Sequence, residues 1–330
     1  MTGRGARTRS KASRINAGKQ AAAYAWASPN VIWLKDLARI VPRDGPIYET
    51  GPWTVLKLLA VRYTLDFCIR IMAAPYRETG RPRQGFGAVV YIDLNAGSGL
   101  VRPRGTKAVL GGTALVGAGL TRENPSRGFD FHFLVEPDAE RADALARRAR
   151  ALIPDSQFKV ITAGADEAAS EILDYLKLRN ANFVAVFDPY GFNEGSEKSW
   201  ARILADRDHG DLIATFQTKL AVRHTARAIL PVVGSEAIAG AEDEHLTTAE
   251  ALDAFRGSVG RYRSVIRDAR IRAGDTGYYY DLIYATRASR IGEDWSKAFD
   301  RVKAKLEALD GAKIRTMLNY RTLERGLEGD

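Results

Sequence analysis

Four carboxylates stand at the ends of four predicted strands, or just after them. They are Asp93 after AVVYI, Glu136 after FDFHFLV, Asp166 after FKVITAG, and Asp188 after NFVAVF. Runs this apolar are typical of parallel strands that are buried on both faces of a sheet. In an open α/β sheet, ligands bind outside the carboxyl ends of the strands. We therefore expect the four acids at one ligand-binding edge.

A turn of small residues, 95–99, follows the first of these strands, and three kinds of nucleotide site compete for it. A phosphate-binding P-loop needs four residues between its glycines and then Gly-Lys-Ser/Thr, whereas five residues separate Gly99 from Gly105. A dinucleotide fold needs a third glycine where this chain has Arg102, and the acid at Asp93 would repel a pyrophosphate. Both alternatives are therefore disfavoured.

The third kind of site binds S-adenosyl-L-methionine (SAM), which carries a cationic methionine end and no phosphate. Asp93 is expected to face that cationic end, Glu136 to accept both ribose hydroxyls, and Asp166 to accept from the adenine amino group. Taken singly, Glu136 and Asp166 could instead cap helices or interact with a helix dipole. The predicted cofactor site comprises Asp93, Asn95, Gly97, Ser98, Gly99, Glu136 and Asp166.

The segment Asp188-Pro189-Tyr190-Gly191 is similar to the Asp/Asn-Pro-Pro-Tyr/Phe motif of methyltransferases that act on amino groups of nucleic acid bases. In that motif the acid and a backbone carbonyl accept hydrogens from the exocyclic amine, and the aromatic ring stacks on the extruded base. Asp188, Pro189 and Tyr190 are therefore the predicted catalytic residues. The second proline is absent and Tyr190 stands one position early, so a structural turn is the alternative.

The formal net charge of +9 favours polyanionic partners. Residues 1–19 carry six Lys and Arg and no acid, which predicts a disordered basic arm that either solubilises the chain or contacts phosphates. The loop after the glycine turn is also basic, and we predict that Arg102, Arg104 and Lys107 bind nucleic acid.

The rest of the chain divides into three further regions. Residues 20–87 form a predicted helical lead-in, in which Thr50 caps a helix over 50–73 and Lys57 points either to solvent or to a ligand. Residues 88–220 and 277–315 form the core, with a basic loop at 100–110. A helical basic insertion, 221–276, is either a solvated surface or a grip on a polyanion. The predicted fold is α/β, with a doubly wound, mostly parallel Rossmann-like sheet.

The cysteine count, the apolar runs and the N-terminus together limit where in the cell the protein is expected. The single cysteine, Cys68, excludes an intrachain disulfide and a cysteine-based metal cluster. No apolar run approaches the ~20 residues needed to cross a bilayer, so no membrane partner is expected. The N-terminus has charge but no apolar h-region, so we expect no secretory signal and a cytoplasmic location.

Together these motifs resemble the three-Cys-motif partner (TcmP) family, which has a class I SAM-dependent methyltransferase-like core. The resemblance covers roughly residues 50–300. The matching stretches are Trp53 through Lys57, Tyr63, YIDLNAGSG at 91–99, GGTALVGAG at 111–119, FLVEPDAERADAL at 133–145, DPYG at 188–191 and YYYDLIYATR at 278–287. Asn95 and Ser98 stand where the family usually has Phe and Pro. The family's three cysteines belong to a partner protein, so the resemblance implies a cysteine-motif partner.

The predicted function is SAM-dependent methyl transfer to nucleic acid, with methylation of an amino group favoured. The alternative is a non-catalytic module on a methyltransferase fold, either a nucleic acid clamp or a partner subunit. The two differ in whether labelled SAM transfers its methyl to a nucleic acid that the protein binds.

Overall fold

The computed structural model describes residues 4–79, 86–192, 196–207, 209–274, 277–288 and 290–319. Its strands are β1 (Tyr48–Thr50), β2 (Ala88–Asp93), β3 (Leu100–Pro103), β4 (Leu110–Gly111), β5 (Phe131–Val135), β6 (Phe158–Ile161), β7 (Ala181–Phe187), β8 (Asp211–Phe216), β9 (Val265–Arg272) and β10 (Tyr279–Thr286). Its α-helices are α1 (Arg4–Arg39), α2 (Thr54–Thr79), α3 (Thr113–Glu123), α4 (Ala139–Arg150), α5 (Ala165–Leu178), α6 (Glu197–Asp206), α7 (Thr218–Ala221), α8 (Leu230–Val233), α9 (Thr248–Gly260), α10 (Arg290–Glu307) and α11 (Gly311–Asn319).

Seven strands form the central sheet, in the order β6-β5-β2-β7-β8-β10-β9. The pairs from β6 to β8 are parallel, and β10 runs antiparallel to both of its neighbours. The first five strands keep the Rossmann order, which reverses at β2. An antiparallel strand inserted before the last edge strand is the arrangement of the class I methyltransferase fold. The predicted α/β, doubly wound, mostly parallel sheet is therefore confirmed.

The central sheet is covered on both faces, because successive side chains of each strand point to opposite sides. Val89 and Tyr91 of β2 pack into a core with α1, α2, α3, α4, α10 and α11. Val90 and Ile92 pack into a second core with α5, α6 and α9. Double coverage explains why the strands are continuously apolar in the sequence. None of the helices in the described ranges has the length and apolar character to cross a membrane.

A second, small sheet replaces the basic loop predicted over 100–110. β3 pairs in parallel with β1, with Arg102 opposite Glu49, and antiparallel with β4. Backbone hydrogen bonds extend both sides of this sheet, from Arg104 N to Thr50 O at 2.8 Å and from Gly112 N to Gly99 O at 2.8 Å. The small sheet therefore joins the lead-in to the loop that leaves the glycine turn.

The predicted N-terminal arm and the lead-in differ from the prediction in three respects. Within the described residues, helix α1 already begins at Arg4, where a disordered arm was predicted; residues 1–3 lie outside them. Ala, Arg and Lys are strong helix formers, and the predicted arm is rich in them. Thr50 does not cap a helix, because it ends β1, and α2 begins at Thr54. Helix α2 also continues past residue 73, where the predicted helix ended.

The insertion is not wholly helical. Its C-terminal part forms β9, which lies at an edge of the sheet, and the following segment forms the single strand β10. The sequence of β9, VIRDARIR, mixes charged and apolar residues, and charged side chains are common on edge strands. Ala269 and Ile271 are its buried residues.

Most arginines of the insertion have internal partners, so the predicted basic face is largely neutralised. Five form ion pairs, which are Arg227–Asp243, Arg256–Asp253, Arg261–Glu236, Arg267–Asp300 and Arg270–Asp281. Arg263 is 2% exposed and donates to the carbonyls of Leu204, Arg207 and Gly210. These contacts favour a structural role for this region over a grip on a polyanion.

His132 lies fully buried on β5, between the rings of Tyr91 and Phe129. Its Nε2 is 3.1 Å from Thr121 Oγ1. Burial lowers the pKa of His132 to about 3 because it penalises the charged imidazole. Because His132 stays neutral in the folded protein, its contribution to the free energy of unfolding is fully present above the unfolded-state pKa of about 6.5. This contribution is lost as the pH falls from there toward 3.

We expect His132→Phe to reduce the acid sensitivity of folding. The stability of the wild-type protein relative to this variant should fall by about 2–3 kcal/mol between pH 7 and pH 4.5. Urea unfolding at several pH values measures this difference. His224→Gln, at an exposed histidine, is the control and should leave the pH dependence unchanged. Equal slopes for wild type and His132→Phe would contradict the assignment.

Candidate functional site

The glycine turn lies at the carboxyl end of β2, where the strand order reverses. Gly97 and Gly99 have φ values of +60° and +85°, in the left-handed region that favours glycine. A Cβ at Gly99 would lie 3.0 Å from Leu145 Cδ1, whereas a Cβ at Gly97 would meet no atom within 4 Å. The lack of a side chain at Gly99 thus allows Leu145 to pack closely against the turn. At Gly97 the open space allows a ligand to approach the backbone.

The side chain of Arg148, in α4, binds the backbone of this turn. This side chain is fully buried and donates from Nη1 to Ser98 O at 2.6 Å. Its other hydrogen bonds reach three carbonyls of the lead-in, those of Pro42, Asp44 and Pro46, at 2.8–3.0 Å. Burial lowers the pKa of the Arg148 guanidinium. Sequence reasoning missed this residue, because an arginine in the last turn of an amphipathic helix is usually solvated.

Asp93 is fully buried at the end of β2. Tyr91 Oη donates to its Oδ2 at 3.1 Å, and Asn95 N donates to its Oδ1 at 3.2 Å. Burial raises the pKa of Asp93 to about 6, and the charge of Asp188 adds to the shift. Since none of its surface is exposed, any effect of Asp93 on a ligand in this arrangement would pass through its charge or through Asn95 and not through direct contact.

Glu136 lies at the end of β5, beside the glycine turn, and is 4% exposed. Asp138 N donates to its Oε1 at 2.9 Å, and Arg141 Nε lies 3.0 Å from the same oxygen. Asp138, and not Glu136, caps α4. Among the described residues, no hydrogen bond or ion pair involves Glu136 Oε2. One carboxylate oxygen is therefore anchored and the other is available.

Asp166 is exposed in the first turn of α5, which is capped by Gly164. It lines a cleft of about 480 Å³ with Lys198, Arg202 and Tyr262. No hydrogen bond or ion pair between described residues connects Asp166 to the glycine turn. The geometry therefore favours the helix-dipole interpretation of this acid over a fixed place in the site.

Asp188 follows β7 and meets two neighbours. Its backbone N donates to Asn95 Oδ1 at 3.2 Å, which joins the ends of β7 and β2 where the strand order reverses. Its Oδ2 forms a close ion pair with Lys57 Nζ of α2, and these side chains are 18% and 13% exposed. Lys57 thus points neither to solvent nor to a ligand, but to the predicted catalytic carboxylate.

Aromatic side chains lie near Asp188. Tyr190 is 57% exposed, and its ring meets that of Tyr48 edge-on at 5.5 Å. Nearby, Trp53 and Tyr278 lie 5.1 Å apart, and the charge of Asp188 helps burial to raise the pKa of Tyr278. Sequence reasoning had not assigned Tyr48, Trp53 or Tyr278 to the site, although two of them lie in stretches that carry the family resemblance.

Gln217 fixes the backbone of the segment after β7. Its Nε2 donates to Pro189 O at 3.0 Å and to Tyr190 O at 2.5 Å. The Asp188-Pro189-Tyr190 segment is therefore held from β2 by Asn95, from α2 by Lys57, and from the end of β8 by Gln217. The structure brings the three predicted catalytic residues together with Asn95 of the predicted cofactor site.

The predicted nucleic-acid residues lie on β3 and the turn that follows it. Arg102 is half-buried, and Arg104 and Lys107 are exposed. A Cβ at Gly105 would lie 3.8 Å from Arg315 Cδ and Nε, so Arg315 of α11 adds a fourth cation. Within the described ranges none of the four forms an ion pair, whereas five arginines of the insertion do. We call Arg102, Arg104, Lys107 and Arg315 the β3 basic patch.

Comparisons with known proteins add structural likenesses only. No protein-family model matches the chain, and no curated protein does. An O-methyltransferase from Bacillus cereus in complex with SAH aligns at a TM-score of 0.39 and 11% identity, over 79% of this chain and 90% of that one. The precorrin 8w decarboxylase of Methanobacterium thermoautotrophicum aligns at 0.30 and 18% identity, over 59% and 80%. At such TM-scores, the fold assignment rests on the strand order and not on these likenesses.

We expect Arg148→Met to destabilise the protein by about 3–5 kcal/mol, because four carbonyls would lose a charged donor. Thermal and urea unfolding measure this loss. The matched control is Arg147→Met on the same helix, whose ion pairs with Asp44 and Asp143 are partly exposed and should contribute less than about 1 kcal/mol. Similar losses for the two variants would contradict the role of Arg148.

Proposed function

We propose that this protein binds SAM at the carboxyl ends of β2 and β5. The observation that supports this most is Glu136, a buried acid anchored through Oε1 with Oε2 available beside the left-handed glycine turn. A carboxylate in that position can accept from ribose hydroxyls. Asp93 supplies negative charge beneath the turn, which suits a cationic and phosphate-free ligand.

We further propose that the protein is a methyltransferase, with the acceptor at Asp188. SAM supplies an electrophilic methyl group on a sulfonium, so the chain's task is to align donor and acceptor. Asn95 links the turn to Asp188 through the hydrogen bond from Asp188 N. The exposed ring of Tyr190 lies close to the same carboxylate, where it can stack on a planar ring of the acceptor molecule.

Nucleic acid is the acceptor that we propose. The net charge supports this, as do the cations of the β3 basic patch, which form no ion pair with any residue that the structure describes. The patch is next to the acceptor region, because β3 pairs with β1, which carries Tyr48 against Tyr190. Methylation of a base amino group, membership of the TcmP family, a cysteine-motif partner protein and a cytoplasmic location stay predictions from the sequence.

We expect isothermal titration to show SAM binding to the wild-type protein. Glu136→Gln should weaken it about 10- to 100-fold, because it removes hydrogen bonds to a charged acceptor. Glu140→Gln, at an exposed acid on the neighbouring α4, is the control and should bind as the wild type does. Absence of SAM binding, or equal affinity of the wild type and Glu136→Gln, would contradict the proposed cofactor site.

Removal of three charges of the β3 basic patch should weaken binding of a single-stranded RNA oligonucleotide. The binding constant K falls as salt rises, so the plot of log K against log salt has a negative slope. For the combined Arg102→Ala, Arg104→Ala and Lys107→Ala variant, we expect the magnitude of this slope to decrease by about 2. Fluorescence anisotropy at several salt concentrations measures it. Arg227→Ala and Arg150→Ala, at arginines paired on the surface, are the controls. An unchanged slope in the combined variant would rule out this patch as a phosphate-binding surface.

A non-catalytic role is the second candidate, and one observation favours it. Both acids that matter most already hold a cation of the protein, Glu136 with Arg141 and Asp188 with Lys57. If these ion pairs persist when ligands are present, the fold would act as a nucleic acid clamp or a partner subunit. Salt-dependent RNA binding without methyl transfer from labelled SAM would support this candidate.

A further inference from the structure

The ion pair between Lys57 and Asp188 bears on which chemical group accepts the methyl. Its two side chains are largely buried, and it lies at the end of β7, beside the exposed Tyr190. The pair uses Oδ2 of Asp188; among the described residues, Oδ1 has no hydrogen bond or ion pair. A cation and a proton acceptor therefore stand side by side where the acceptor is expected.

The sign of the charge separates two classes of acceptor. An amine gains positive charge as it attacks a methyl group, and a neighbouring ammonium opposes that change. A hydroxyl that gives up its proton during attack develops negative charge on oxygen, and a neighbouring ammonium stabilises that charge. In a partly buried site these interactions are stronger than in water. Lys57 therefore favours a hydroxyl acceptor.

The hydrogen-bond acceptors that an exocyclic amine would need also have partners. Pro189 O and Tyr190 O both accept from Gln217 Nε2, and Asp188 Oδ2 accepts from Lys57, which leaves each oxygen one further lone pair. An amine must donate both hydrogens to keep its lone pair aimed at the methyl. A hydroxyl has one hydrogen to donate, and Asp188 Oδ1 suffices to accept it.

We propose that the acceptor is the ribose 2′-hydroxyl of RNA. This inference rests on the proposed function, because a hydroxyl within a nucleic acid strand occurs in RNA and not in DNA. In the step, the hydroxyl oxygen forms a bond to the methyl carbon and the carbon–sulfur bond of the sulfonium breaks. The electron pair of the broken carbon–sulfur bond stays on sulfur, which gives the neutral thioether, and the hydroxyl proton passes to Asp188 Oδ1. Lys57 stabilises the charge that develops on the attacking oxygen.

The position of the methyl group tests this directly. Wild-type protein is incubated with methyl-labelled SAM and an unmodified pool of RNA transcribed in vitro, and the RNA is then hydrolysed in alkali. A 2′-O-methyl group blocks cleavage of the adjacent phosphodiester, so we expect the label in alkali-resistant dinucleotides. Label in mononucleotides would place the methyl on a base and overturn the inference, as would label in DNA offered in parallel.

Variants of Lys57 provide the second test. Lys57→Met should keep SAM binding in titration but lower methyl transfer to RNA by about 10²- to 10³-fold, with partial recovery in Lys57→Arg. Lys159→Met, at a lysine paired with Glu171 on the surface, should transfer at the wild-type rate. If Lys57→Met does not fold, Lys57→Met combined with Asp188→Asn removes both charges and should fold, bind SAM and transfer little.

The outcomes distinguish this inference from the function on which it rests. SAM binding without any labelled RNA would overturn the hydroxyl acceptor and leave the cofactor site standing. Absence of SAM binding would overturn both. Full transfer by Lys57→Met would show that its charge has no part in the reaction and would overturn the role of the ion pair.

Discussion

One buried arginine joins the glycine turn of the candidate cofactor site to the lead-in. Burying a guanidinium is costly unless its donors are satisfied, and Arg148 satisfies its donors with carbonyls of the lead-in and of the glycine turn. The position of the turn thus depends on a segment about fifty residues earlier in the chain, as well as on β2 and α4. The lead-in is part of the site and not an appendage to it.

The acceptor side of the site also depends on segments that are far apart in the sequence. Lys57 and Tyr48 come from the lead-in, Asp188 and Tyr190 from the middle of the chain, and Tyr278 from its last third. The carboxyl ends of β2 and β7 bring these segments together at the reversal of the strand order. Three of the four predicted acids are stabilised in different ways: Asp93 by hydrogen bonds within a buried site, Asp188 by a lysine, and Glu136 by an arginine at only one of its oxygens.

The central strands and the acids at their ends could be predicted because both are local properties: an apolar run, then a polar residue. Contacts between residues that are far apart in the sequence could not be predicted. Lys57 was expected in solvent or at a ligand because its partner lies 131 residues away. The insertion was predicted to be basic from its arginines, but residues 221–276 contain eight acids as well as eight arginines, and further partners such as Glu197 and Asp281 lie outside it. The strand β9 was missed because an edge strand carries charges that resemble those of an amphipathic helix.

The place of β10 has a consequence for how the protein is made. This strand comes near the end of the sequence but lies inside the sheet, between β8 and β9. During synthesis, which proceeds from the N-terminus, β8 is therefore an uncovered sheet edge until about residue 286 has left the ribosome. Such an edge pairs readily with other chains. A messenger truncated before β10 would yield a protein that is prone to aggregate.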